Sequence, residues 1–261
     1  MPELPEVENA TRRLRTAIEG RTIAAVRTLH PSLKRQLSPA KARRLRQRRI
    51  ERVERRGKHQ LLHLDDGSVL HAHFRMTGDW IVSRIDTPPD KFTRAVIDLT
   101  DGTRVELHDS RALAALTFHA TADGALPSLG IEANDDALDA AYLSAALRRR
   151  HSSIKPALMD QKVIAGLGNI YAAEALWRAR ISPRATASSI SKSRLRRLVE
   201  AIRAVLGDEL RPPGRYTDTA SRHRFAVYDR EGKPCQVCST PIKRVVQAGR
   251  STYYCSRCQR S

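Results

Sequence analysis

Long apolar runs are missing from this 261-residue sequence, and so is any leader-like start. No window approaches the roughly 18 consecutive apolar residues a membrane span needs, which excludes a helical membrane protein. The opening MPELPEVENA has neither the basic start nor the apolar stretch of a secretory signal, so the expected location is the cytoplasm, with no membrane partner. Cysteine is scarce: four residues, all between positions 235 and 258, which leaves the rest of the chain without a disulfide framework. Lysine occurs only nine times, and acidic residues are outnumbered 28 to 47 by Lys and Arg. Neither an internal repeat nor a low-complexity tract is present, and 29% charged residues with 13 Gly and 13 Pro is not a disordered composition.

What is there is positive charge, +19 in total, carried mostly by 38 Arg. Such an excess destabilises a compact chain by self-repulsion and suits a polyanionic partner, for which nucleic acid is the first expectation. The guanidinium fork fits phosphates and base edges.

The apolar spacing of Val7, Ala10, Leu14, Ala17 and Ile18 predicts a helix from Pro5 to about Glu19, stopped by Gly20. Short alternating or β-branched runs follow at 22–29, 49–55, 60–64, 68–73, 80–84, 93–99 and 103–108, separated by the turns Asp66-Gly67, Thr77-Gly78 and Asp101-Gly102. They predict a β-sandwich or barrel-like layer. Helical periodicity takes over at 137–149, 154–164, 169–180 and 193–210, and Arg211 to Ser221 reads as a mobile loop. The expected fold is α+β: an N-terminal β-sandwich domain (1–130) opened by a helix, a helical domain (131–225) and a small module (226–261).

That module holds Cys235-x2-Cys238 and Cys255-x2-Cys258, sixteen residues apart. Two such knuckles joined by a hairpin bring four thiolates into a tetrahedron suited to one Zn2+; two disulfides are the rival pairing, disfavoured in a cytoplasmic chain. Four protein ligands leave no open position, so the metal is structural. Two strands, 242–246 and 251–254, flank Gln247-Ala248-Gly249-Arg250, and an Arg at a hairpin tip can probe a DNA groove.

The first residues can act as a reagent. Trimming Met1 makes Pro2 a secondary amine; an α-amino group titrates near 7.7–8.0, so part of it is neutral and nucleophilic at physiological pH. Glu3 and Glu6 beside it can supply or hold a proton. The same residues also make a good helix start, with Pro5 in the first turn and acids facing the dipole. Gly166-Leu167-Gly168-Asn169 opens a helix whose N–H groups can bind phosphate; a dinucleotide-binding turn is disfavoured because no strand is expected before it and the third glycine is missing. His59, His63, His71 and His73 alternate on strands, a pattern that more often packs than binds a second metal. Met76 by itself reads as a buried core residue.

MPELPEVE, Arg56-Gly57-Lys58, His73-x2-Met76-x-Gly78, the run from Asp160 through Gly166, Gly168 and Asn169 to Ala172, and the terminal four-cysteine ribbon together resemble the formamidopyrimidine-DNA glycosylase / endonuclease VIII family, nearly end to end. The resemblance implies a β-sandwich domain, a helix-two-turns-helix domain and a zinc finger. It further implies a monomeric bifunctional glycosylase and abasic-site lyase, acting on double-stranded DNA with oxidised bases or abasic sites. Pro2 would attack the anomeric carbon, Glu3 would protonate the sugar ring oxygen and Glu6 would orient the terminus. Lys58, Asn169 and Arg250 would clamp phosphates, helped by Lys155 and Gly168. Met76, Arg111 and the residue at position 113 would fill the gap left by the everted base. The chain departs from the family's Asp-Pro-Arg-Arg-Phe-Gly loop at Asp109-Ser110-Arg111-Ala112-Leu113-Ala114, where Leu113 replaces an aromatic ring. Leu4 favours the formamidopyrimidine and 8-oxoguanine branch. An enzyme for oxidised pyrimidines and a non-catalytic binder of damaged DNA are the alternatives.

Overall fold

The computed structural model describes residues 1–210 and 225–260. The Arg211 to Ser221 loop expected from sequence lies outside them. The chain forms two compact units, Met1–Pro127 and Ser128–Ser261.

In the first unit, helix α1 (Leu4–Ile18) buries Leu4, Val7, Ala10, Leu14 and Ile18 along one stripe and ends ahead of Gly20, whose φ of +79° suits glycine. There follow β1 (Ile23–Thr28), the short helices α2 (Pro31–Lys34) and α3 (Pro39–Arg44), and strands β2 (Ile50–Arg56), β3 (His59–Leu64), β4 (Val69–His73), β5 (Asp79–Arg84), β6 (Thr93–Leu99), β7 (Thr103–His108) and β8 (Ala115–His119). Two antiparallel sheets result, ordered β1-β6-β7-β5 and β2-β3-β4-β8. Val26, Ile97, Val105 and Leu107 from one sheet share a single apolar core with Leu62, Leu70, Leu116 and Phe118 from the other and with the buried stripe of α1. Three elements go beyond the sequence expectation. Helices α2 and α3 are single turns started by Pro31 and Pro39 behind the N-caps His30 and Ser38. Strand β8 closes the second sheet against β4.

The second unit contains β9 (Ile131–Glu132), α4 (Ala140–Leu147), α5 (Ile154–Met159), β10 (Ile164–Ala165), α6 (Asn169–Arg178), α7 (Lys192–Leu210), β11 (Lys243–Gln247) and β12 (Arg250–Tyr254). Two expectations need correction. The helix expected to run to Ile164 stops at Met159: the Asp160 carbonyl accepts the Val163 and Ile164 N–H groups at 2.8 and 3.0 Å, and its carboxylate accepts that of Lys162 at 3.0 Å, which closes a turn. A strand does lead into the glycine turn, because β10 pairs in parallel with β9. It is only two residues long and the third glycine is still absent, so the turn is not a dinucleotide cradle. Among the described residues no helix is long and apolar enough to cross a membrane.

Candidate functional site

Within the first unit, the chain start is built into the cap of α1. Glu3 and Glu6 form a reciprocal capping box, the Glu3 N–H donating to Glu6 Oε2 at 2.8 Å. The helix start and the acidic cluster beside Pro2 are therefore one structure. Glu3 is 1% exposed. Burial lowers the pKa of the Met1 amine below its ordinary 8.0; Glu3 and Glu6 oppose that shift, and Lys58 and Arg111 add to it. All four side chains thus act electrostatically on the amino terminus.

Lys58 is buried in the turn between β2 and β3, where Gly57 has a φ of +59°. That turn is fastened to α1 by Arg55, which pairs with Glu8 at 2.7 Å and donates to the Gly57 carbonyl at 3.0 Å. Sequence reading passed over Glu8 and Arg55, because a charge pair that joins a helix to a strand 47 residues away leaves no local pattern.

Met76, Arg111 and Leu113 stand on two neighbouring loops. Met76 is 37% and Leu113 46% exposed, so neither is a core residue. Asp109, fully buried, joins the loops: it accepts the Thr77 hydroxyl and the N–H groups of Arg111, Leu113 and Ala114 at 3.1, 2.6 and 2.7 Å. The sequence offers Asp109 only as the first residue of that loop, although an acid ahead of small residues in a six-residue loop is a turn signal. Gly78 is obligatory in the other loop, since a Cβ there would lie 2.8 Å from the Phe74 Cα and carbonyl oxygen.

The histidines form no metal group among the described residues. Instead His59 Nδ1 lies 2.8 Å from His71 Nε2, and the chain continues from His71 Nδ1 to Thr117 Oγ1 at 3.1 Å and on to His119 at 3.0 Å. Burial first, then repulsion from His59, His119 and Arg75, lowers the His71 pKa to about 4. Burial, His59, Arg75, His71 and Lys58 lower that of His73 to about 3. Both rings are neutral in the folded state and take up protons on unfolding below the ordinary imidazole value of 6.5. Stability is therefore full above that value and is lost as the pH falls towards 4 and then 3. We expect the melting temperature of the protein to drop by roughly 5 °C or more between pH 7 and pH 5, and His71→Leu to flatten that dependence, both read by calorimetry.

In the second unit, Lys155 is 1% exposed, and its ammonium donates to Asn169 Oδ1, to Thr252 Oγ1 at 2.9 Å and to the Ser251 carbonyl at 3.4 Å. Asn169 Nδ2 also donates to the Ser251 carbonyl, at 3.1 Å. The start of α6 is thereby tied to β12. Gly168 is the N-cap of α6, and Gln161, which the sequence offers as part of the family run but with no role, holds the glycine turn by accepting the Gly166 N–H at 3.0 Å and donating to the Leu167 carbonyl at 2.8 Å. Arg250 begins β12 opposite Gln247, across a two-residue turn in which Ala248 and Gly249 both have positive φ. With Lys155, Pro156, Met159 and Asp160 it lines a cavity of about 220 Å³.

The sulfur atoms of Cys235, Cys238, Cys255 and Cys258 all lie within 4.8 Å of one another and none is in a disulfide. Four thiolates converging in this way fit one structural Zn2+. Glu174 on α6 accepts the N–H groups of Ala226, Val227 and Tyr228 at 2.9, 2.9 and 2.8 Å, which anchors the segment leading into the ribbon.

Residues 1–116 match the formamidopyrimidine-DNA glycosylase N-terminal domain, 129–220 the H2TH domain of the same enzymes, and 232–260 the zinc finger found in FPG and IleRS. The chain belongs to the formamidopyrimidine-DNA glycosylase family. A formamidopyrimidine-DNA glycosylase of Dinoroseobacter shibae is 39% identical over the whole of both chains, and one from Herpetosiphon aurantiacus is 38% identical over 99% of this chain and 100% of its own. Among solved structures, the MutM (FPG) protein of Thermus thermophilus superposes with a TM-score of 0.87 at 37% identity, covering 99% of this chain and 98% of its own. A Lactococcus lactis FPG mutant in complex with Fapy-dG DNA superposes at 0.91 with 28% identity over both full chains.

Proposed function

We propose that this chain is a bifunctional DNA glycosylase and abasic-site lyase of base excision repair, taking oxidised bases of the formamidopyrimidine and 8-oxoguanine type from double-stranded DNA. It would act as a monomer in the cytoplasm, on nucleoid DNA. Its modules would be a catalytic β-sandwich (1–130), a DNA-binding helical domain (131–225) and a zinc hairpin (226–261). The observation that carries this reading is the half-buried chain start, whose Met1 amine is acted on by Glu3, Glu6, Lys58 and Arg111, in a family member.

In this reading the Pro2 nitrogen, exposed once Met1 is removed, attacks C1′ of the damaged nucleotide. The glycosidic bond breaks, the base leaves with a proton, and Glu3 protonates the ring oxygen so that the sugar opens to an iminium. The iminium draws electrons from C2′, a C2′ proton is lost and the 3′ phosphate departs; a second elimination releases the 5′ phosphate. The same burial that lowers the Met1 amine would, acting on the Pro2 amine after trimming, enlarge the neutral fraction able to attack. Glu6, through its bond to the Glu3 N–H, orients the terminus. Lys58, Asn169 and Arg250 bind phosphates, with the α6 N-terminus beyond Gly168 contributing N–H groups. Lys155, buried against Asn169 and β12, works by positioning them. Met76, Arg111 and Leu113 enter the space of the everted base, and Leu113 wedges without stacking as a ring would.

Side-by-side assays on duplexes carrying 8-oxoguanine, formamidopyrimidine or an oxidised pyrimidine test the substrate. We expect release of the two purine lesions and strands with phosphate at both new ends. Excision confined to the pyrimidine lesion would contradict the assignment, and lesion binding without any cleavage would mark a non-catalytic binder.

A further inference from the structure

Strand β1 is an edge strand of its sheet, and α2 and α3 pack beside it. Between them lies a cavity of about 410 Å³, with Val26 and Ala42 among its apolar walls and Arg27, Lys34, Arg43 and Arg46 around it. None of these residues has a part in the proposed chemistry.

The charge there is lopsided. Positions 34–49 contain eight Lys and Arg and no acid. Some of the cations nearby are already engaged: Asp98 takes Arg27 at 2.8 Å, Asp66 takes Arg48 at 3.1 Å, and Arg44 sits over the Phe118 ring at 4.7 Å. Lys34, Arg43 and Arg46 have no ion pair among the described residues, and all three are exposed. Three cations held around an apolar hollow repel one another, and an anionic occupant relieves that repulsion.

The shape decides which anion. Duplex DNA presents a convex ribbon of phosphates that would touch the rim and leave the apolar walls unused. A single strand would need rings on which to stack its bases, and no aromatic residue lines the cavity. A peptide with carboxylates on either side of an apolar side chain uses both features. We propose that this groove docks an acidic segment of a partner protein, its apolar side chain seated between Val26 and Ala42 and its carboxylates paired with Lys34, Arg43 and Arg46.

The probe is a fluorescein-labelled octapeptide of alternating Asp and Leu, titrated by anisotropy against the full zinc-loaded chain. Saturable binding is expected, weakened on the order of tenfold or more in the Arg43→Glu/Arg46→Glu variant, whose substitutions lie on exposed side chains and leave the core intact. An Asp-Ser octapeptide of equal charge should bind comparably more weakly, because it lacks the apolar anchor. Equal affinity of the variant and the parent for the Asp-Leu peptide would overturn the proposal, as would equal binding of the Asp-Ser peptide, which would reduce the site to charge alone. Displacement of the peptide by a short undamaged duplex, with both affinities falling together in the variant, would make the groove a DNA surface and equally overturn it. Excision activity is measured in parallel, so that an inactive enzyme and an empty groove are separate results.

Discussion

Removing the metal from the four-cysteine site, or replacing Cys255 with Ser, is expected to abolish DNA binding while leaving the β-sandwich folded. The ribbon is too small to hold itself. Its apolar cluster consists of little more than Val227, Ile242 and the cysteines themselves, packed on Ala173 and Trp177. Metal-free ribbons of this size do not fold, because metal binding supplies roughly 10–16 kcal/mol in comparable peptides. The loss extends beyond the ribbon. Ser251 and Thr252 on β12 are the partners of Lys155 and Asn169, so melting the hairpin removes Arg250 and also leaves the buried Lys155 ammonium short of acceptors. Charge-assisted hydrogen bonds contribute about 1.5–3 kcal/mol each; losing two or more of them should weaken binding of an abasic duplex on the order of a hundredfold or beyond. The check is a Kd measured before and after chelation, with metal loss verified by elemental analysis. Unchanged affinity in the zinc-free protein would refute the structural role.

The second large effect concerns the first residue. A variant with a Lys inserted between Met1 and Pro2, which blocks trimming, should lose on the order of 1,000-fold or more of both base release and strand cleavage. In that variant the prolyl nitrogen is an amide, its lone pair is delocalised into the carbonyl, and it can neither attack C1′ nor form an iminium. Fold and stability should barely change, because Glu3 and Glu6 keep their capping box. In the trimmed enzyme the acid limb of the rate profile should fall below the ordinary α-amino value of 8.0, if the burial and the charges of Lys58 and Arg111 that lower the Met1 amine act in the same direction on Pro2 one residue on. Single-turnover cleavage across pH measures both expectations.

Much of this site is local in sequence and could be read there. The stripe on α1, the two cysteine knuckles, the glycine turn before Asn169 and the Arg-bearing hairpin each lie within a short window and obey a spacing rule. The pieces that escaped are those made by distance. Glu8 and Arg55, Asp109 with Thr77, and Gln161 beneath the glycine turn are ordinary polar residues until folding brings their partners to them. The resemblance makes Lys155 a helper of the phosphate clamp, and only the folded structure shows its ammonium held by Asn169 and β12. Strand β8 was hidden because its alternation, Leu116 and Phe118 inward, sits in an alanine-rich stretch. The end of α5 was hidden because Asp160 breaks the helix by side-chain bonding without glycine or proline.

The central claim is that the nitrogen of Pro2 forms the covalent bond to DNA. Borohydride reduction during turnover on an abasic duplex, followed by proteolysis and mass spectrometry, tests it directly. The expected product is a sugar remnant attached to the N-terminal peptide at the Pro2 nitrogen, absent when the Lys-insertion variant is used. Attachment at Lys58 or any other lysine, or trapping that survives in the capped variant, would contradict the account.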